Sequence, residues 1–225
     1  MKNLQQLLIR AKYVSDRGLV HLQGMDSLRF LALEDCYITD KGMADLAPKT
    51  KLEVLNLMRT HVSDEGLQHL AGMTGLRDLR IRETKVKGHG LDAIPNKEKL
   101  TYLDLSENLF PSEGMAHLAP FTGLTTLDLW TGTFTDDDLQ HLAGMTRLEE
   151  LILEAAPITA AGIDHLLVLK SLKKLNLKET QVDDDGLKKL EGLESLEELN
   201  IAQTPITDEA AAAFRAARPN VNIIR

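Results

Sequence analysis

The sequence predicts an α/β solenoid, a curved stack of strand–turn–helix units with a parallel sheet on its inner face. Three observations predict it. Leucine recurs every 24 residues, at Leu4, Leu28, Leu52, Leu76, Leu100, Leu124, Leu148, Leu172 and Leu196, with no insertion or deletion. Within each unit the apolar spacing changes from two to three, strand-like first and helix-like later. Residue types that start and stop helices stand at fixed places in most units.

The third unit, LEVLNLMRTHVSDEGLQHLAGMTG, shows each element in order. Positions 4 and 6 alternate as in a short strand, putting Leu55 and Leu57 on one face and Val54, Asn56 and Met58 on the other. Position 12 is Ser15, Thr39, Ser63, Thr135, Thr159, Asp183 or Thr207 in seven of the nine units, and such side chains accept from the free N–H groups of a helix start. A short helix therefore begins there. Position 21 carries Gly24, Gly72, Gly144 and Gly192, read as left-handed residues that end the helix. One unit cannot cover its own leucines, so neighbours must stack around a continuous core. Strands are narrower than helices, so the strand side is concave. The whole chain, 1–225, reads as a single domain of nine units (4–27, 28–51, 52–75, 76–99, 100–123, 124–147, 148–171, 172–195 and 196–219) closed by a half-strand within 220–225.

The pattern LxxLxLxxTx(I/V)(S/T)DxGLxxLxGM resembles a leucine-rich repeat, most closely the 24-residue bacterial kind, and it covers the whole chain. The resemblance implies a protein-binding horseshoe whose concave strand face is the usual contact surface. It names no ligand.

Composition narrows the partner. Six basic against eleven acidic residues fall on the predicted concave columns, within a formal net charge of -8. That argues against a general phosphate-backbone binder and for a basic protein partner with salt-sensitive association. The single cysteine, Cys36, cannot form an internal disulfide, and no stretch has the length and apolarity of a signal peptide core or membrane span. A cytoplasmic protein that binds neither membrane nor nucleic acid is the expectation. Met1 falls at position 22 of an absent preceding unit, so the first leucines lack a visible cap. The expectation is that a longer chain, a partner or a second copy covers that end, with homo-association as one outcome.

The register turns the strand positions into a surface map. Trp130, the only tryptophan, holds position 7 of the sixth unit and points away from the core. Its neighbours in the map include Met58, Arg80, Arg82, Tyr102, Asp104 and Asp128, with Phe30 further along the same face. Trp, Tyr and Arg dominate binding hot spots, so these eight residues are the candidate partner-binding site. Asp104 and Asp128 adjoin in one column, as paired carboxylates do in a glycosidase or cation site. The plainer reading is that Arg80 pairs with Asp104 on an open, watered face. No base lies near a Ser or Cys nucleophile, so no catalytic residue is assigned and the chain reads as a non-enzyme. His117, His141 and His165 recur at position 18 on the helical side as solvated repeat positions, not zinc ligands, and no cofactor or metal is expected. Cys36 at position 9 reads as a structural bond to the turn backbone, as do Thr60, Thr84, Asn108, Thr180 and Thr204.

The fourth unit, with Lys87 for the cap and Gly88 for the following Asp, is expected to have the most mobile convex segment. The functional expectation is a non-catalytic protein-interaction module. Two alternatives stand beside it: a structural segment of a larger protein joined through its N-terminus, and a glycan-binding module that uses Trp130 and Tyr102 as stacking platforms.

Overall fold

The computed structural model describes residues 3–225. Ten strands form one parallel sheet in sequence order: β1 (Gln6–Arg10), β2 (Phe30–Glu34), β3 (Val54–Asn56), β4 (Asp78–Arg80), β5 (Tyr102–Asp104), β6 (Thr126–Asp128), β7 (Glu150–Ile152), β8 (Lys174–Asn176), β9 (Glu198–Asn200) and β10 (Asn222–Ile224). The 24-residue period is the register itself. Leu7 faces Leu31, Leu31 faces Leu55, and the row runs on through Leu79, Leu103, Leu127, Leu151, Leu175 and Leu199 to Ile223. The expected closing half-strand is β10, paired with β9. Among the described residues β1 has a neighbour on one side only, and Met1 lies outside them.

Two local features mark the ends of the strands. At position 5, Asn56, Asp104, Asp128, Asn176 and Asn200 turn a side-chain oxygen back onto the N–H two residues ahead, at 2.9–3.1 Å. Such side-chain bonds offer the backbone an alternative to the ladder. Position 8 of all eight later units (Asp35, Arg59, Glu83, Glu107, Thr131, Ala155, Glu179, Gln203) then lies at φ between 50 and 64°. A left-handed non-glycine residue costs about 1–2 kcal/mol. The kink preserves pairing, however: the N–H of Glu107 reaches the carbonyl of Trp130 at 3.0 Å, and that of Thr131 reaches Glu154 at 3.0 Å.

The other face of β2 to β9 is dry, while Leu7, Ile9 and Ile223 on the end strands are partly buried. Position 4 and position 6 leucines from Leu31 to Leu199 are buried, together with Phe110, Phe121, Phe134 and Phe214. Position 9 behaves as expected, with Thr60, Thr84, Thr180 and Thr204 donating hydroxyls to backbone carbonyls at 2.6–2.8 Å and Cys36 buried against the carbonyl of Glu34.

Short helices line the opposite side: α1 (Asp16–Leu19), α2 (Asp40–Leu46), α3 (Asp64–Leu67), α4 (Ser112–Met115), α5 (Ala160–Leu166), α6 (Asp184–Lys189) and α7 (Asp208–Ala217). The fourth and sixth units use tighter 3₁₀ turns instead, His89–Ala93 and Asp136–Leu142. Thr39, Ser63, Thr159, Asp183 and Thr207 accept from helix N–H groups, while Ser15 makes no side-chain cap bond and Thr135 leans on Asp138. The helix ends differ from expectation. Gly24 is left-handed at φ 76°, but Gly72, Gly144 and Gly192 are not, because 3₁₀ or αR turns already close those segments.

The position after the cap carries more of the stacking than the sequence pattern suggests. Asp16 accepts from the N–H and hydroxyl of Thr39 at 2.8 and 2.7 Å, and Asp40, Asp136 and Asp184 do the same for Ser63, Thr159 and Thr207. Each of these carboxylates fastens its own helix start to the next unit. In the fourth unit this replaces the missing cap: buried Asp64 accepts from the N–H groups of Lys87, Gly88 and Gly90 at 2.7–2.9 Å. Gly88 sits at φ 129°, where an added Cβ would lie 2.5 Å from the Cα of Gly114.

Candidate partner-binding face

The side chains that leave the core at positions 3, 5 and 7 stand in columns across the sheet. Strands about 4.8 Å apart force them into contact, so long side chains lie over short ones. Arg82 passes above buried Ser106 to put its guanidinium carbon 4.9 Å from the Trp130 ring centroid, two units away. Arg80 sits 4.8 Å from the centre of Tyr102 on the adjoining strand. Trp130 does point away from the core, as the register requires, but it is half-buried beneath Arg82. Stacking of this kind contributes about 0.5–1 kcal/mol at partly exposed sites. It also holds both rings and both guanidinium groups in place.

Two expectations fail here. Arg80 does not pair with Asp104; it forms a two-pronged bond with Asp78, at 3.0 and 2.8 Å. Positions 3 and 5 of one strand share a face, and the planar guanidinium fork matches a carboxylate's two oxygens. Nor is the face an open sheet of watered side chains. Asp104 is only 6% exposed, and Ser106, Asn56 and Ala32 are also buried under longer neighbours. Asp104 turns toward its own strand, accepting from the N–H and hydroxyl of Ser106 at 3.0 and 2.6 Å.

Asp128 lies opposite Asp104 in the register of β5 and β6 and accepts from the N–H of Trp130 at 3.0 Å. Burial pushes its carboxyl up to about 7; the Trp130 hydrogen bond opposes this and the neighbouring Asp104 charge adds to it. Burial likewise raises the Tyr102 hydroxyl. Arg82 bonds Glu107 at 2.6 Å, leaving its Nε buried without a partner among the described residues. The Oγ1 of Thr131, next to Trp130, is buried and unpartnered too. Thr131 is the one β-branched residue in the left-handed column, a conformation that such residues rarely adopt.

The eight predicted residues do not all meet. Arg80, Arg82, Tyr102, Asp104, Asp128 and Trp130 form one contiguous group over β4 to β6. Met58 adjoins it as the residue before Arg82 in its column, whereas half-buried Phe30 stands three strands from Tyr102. Toward the N-terminal end, Asp35 bridges Arg59 and Arg10, and those guanidinium groups hold its carboxyl down at about 2. On the helical side His117 bonds Asp92 at 2.9 Å. The backbone role of position 5 was missed from the sequence. Its signal was present as Asn or Asp in five units of one column.

The fold defines a solenoid repeat protein with a side-chain-lined sheet face. A family model described as Leucine Rich repeat matches residues 26–47, 49–71, 168–190 and 192–214. Among solved structures, internalin C2 of Listeria monocytogenes is 28% identical over 80% of this chain and 72% of its own, with a TM-score of 0.62. A TDR receptor structure matches in fold alone, 12% identical over 100% of this chain and 43% of its own, at a TM-score of 0.64. No curated protein matches the sequence. The chain folds as a leucine-rich-repeat solenoid, and the matched stretches carry that family's repeat.

Proposed function

We propose that the chain is a non-catalytic protein-binding module that holds a basic partner on its strand face, around Arg80, Arg82, Tyr102, Asp104, Asp128 and Trp130. The observation that carries this reading is preorganisation: both Arg–aromatic pairs are already formed across strands in the unbound chain, at 4.8 and 4.9 Å. Rings fixed in advance lose little entropy on binding, which is what makes Trp, Tyr and Arg effective anchors. The charge arrangement favours a basic partner. The cations of this region are already committed, Arg80 to Asp78, Arg82 to Glu107 and Lys178 to Glu154, while Asp104 and Asp128 have no cation within ion-pair distance among the described residues. A cytoplasmic setting belongs to the same reading, since the buried free thiol of Cys36 needs no oxidising compartment.

The test is affinity capture of partners by the chain and by a Trp130→Ala, Tyr102→Ala variant of matched circular dichroism. A protein held by the wild type should be lost by the variant, a change of at least tenfold in affinity for two anchors of about 1 kcal/mol or more each. It should also weaken as salt rises. Equal capture by both chains would remove the strand face from the account.

A further inference from the structure

The turn at position 5 needs only an oxygen acceptor. In three units an amide supplies it, from Asn56, Asn176 and Asn200, so the negative charge of Asp104 and Asp128 is not required for folding. The two carboxylates are also the two that stand side by side, in register across β5 and β6. Taken largely out of water beside a second carboxylate, Asp128 is the one whose charge is disfavoured, first by burial and then by the Asp104 charge.

Among the described residues the pair has no ion-pair partner, and the Arg82 charge offsets only part of what burial and Asp104 do to Asp128. Arg80, Tyr102 and Asp78 face it from β4 and β5, and Arg80 is bound to Asp78. Arg82 approaches from the segment after β4 but is bound to Glu107 and stacked on Trp130. From the side of β7, Ile152 is the register neighbour of Asp128, and Glu154 adds further negative charge. Asp104 accepts two hydrogen bonds and Asp128 one, so the proton belongs on Asp128.

We propose that the strand face binds its partner with release of one proton: the Asp104–Asp128 pair holds a single proton in the free chain and yields it when a lysine or arginine side chain of the partner seats over the pair, beside Tyr102 and Trp130. This rests on the partner-binding reading of the face. The O–H bond of Asp128 breaks, the proton passes to solvent, and the incoming cation donates N–H bonds to the two carboxylates in its place. The burial that raises Asp128 is consistent with the geometry.

Trp130 is the only tryptophan, its backbone N–H bonds Asp128 and its side chain leaves the same face two residues on, so its emission is a local probe of the pair. Wild-type emission should show a transition between about pH 6 and pH 8 that Asp128→Asn abolishes; a flat profile, or the same transition in the variant, overturns the shared proton. Tetralysine is the cationic probe, followed by calorimetry in buffers of different ionisation heat. It should bind about tenfold more tightly at pH 8 than at pH 6, with release of about one proton at pH 6 and almost none at pH 8, and with no such pH dependence in Asp128→Asn. Asp137→Asn on the exposed helical side should behave as wild type. Equal wild-type affinity at both pH values overturns the coupling. Absence of tetralysine binding at either pH overturns the cationic occupant. Neither result touches the capture comparison with Trp130→Ala and Tyr102→Ala, which tests the face separately.

Discussion

Asp128 shows how one residue can be both a fold element and a site element. Its oxygen ends β6 by taking the Trp130 N–H, a role asparagine fills elsewhere in the column, while its charge serves nothing in the fold. Burial raises its folded carboxyl to about 7, against an unfolded value of 3.8. Between those values the folded chain carries a proton that the unfolded chain has lost, so wild-type stability falls as pH rises from about 4 to 7 and then levels. Asp128→Asn removes this dependence. Urea unfolding should find the variant about 1–3 kcal/mol more stable than wild type at pH 8, and the difference should vanish near pH 4. A variant less stable at pH 8 would mean that the carboxylate is ionised and compensated in the folded chain. The sequence placed Asp104 and Asp128 side by side correctly but left them exposed and gave Asp104 to Arg80. Alternation tells which face a residue is on, and it does not tell that Ser106 and Asp104 lie beneath neighbours long enough to cover them.

Elements that announce themselves by residue type were legible, and elements made by context were not. The strands, the position 12 helix starts and the position 9 hydroxyl bonds follow from alternation and side-chain chemistry, and they are where the sequence puts them. The left-handed column at position 8 carries no glycine, so nothing in its letters marks it. Gly72, Gly144 and Gly192 mislead in the opposite sense, offering a freedom that their turns do not use. The aspartates after the cap were visible as a recurrence, but their partner lies 23 residues on, in the next unit. Asp64 is the strongest case because three N–H groups depend on it. Asp64→Ala should cost about 2–4 kcal/mol in urea unfolding, more than Asp16→Ala, which frees one N–H and one hydroxyl. Gly88→Ala should destabilise by about 2 kcal/mol or more, since its Cβ meets backbone at a φ that alanine disfavours. A near-neutral result for either would show that the fourth unit is held by something other than this staple.

The whole molecule is close to one-dimensional: each unit pairs with its neighbours in sequence order, and a single register links them all. Removing residues 172–195 should therefore leave a folded chain in which Leu151 faces Leu199, with an unchanged type of circular dichroism spectrum and a lower unfolding midpoint. Deleting four residues fewer from the same unit should break the register and the fold. The same regularity makes the departures informative. Uniform leucine rows build the core, and across the sheet the outward columns vary, with the aromatic, guanidinium and carboxylate groups gathered over β4 to β6. The central claim is that this gathering is where a partner sits. The most direct measurement is fluorine NMR of the chain labelled with fluorotryptophan, because the single tryptophan gives a single probe at Trp130. Titration with a captured partner should shift or broaden that resonance in proportion to binding. A resonance that stays in place while binding is saturated would contradict the account and move the contact to another face of the solenoid.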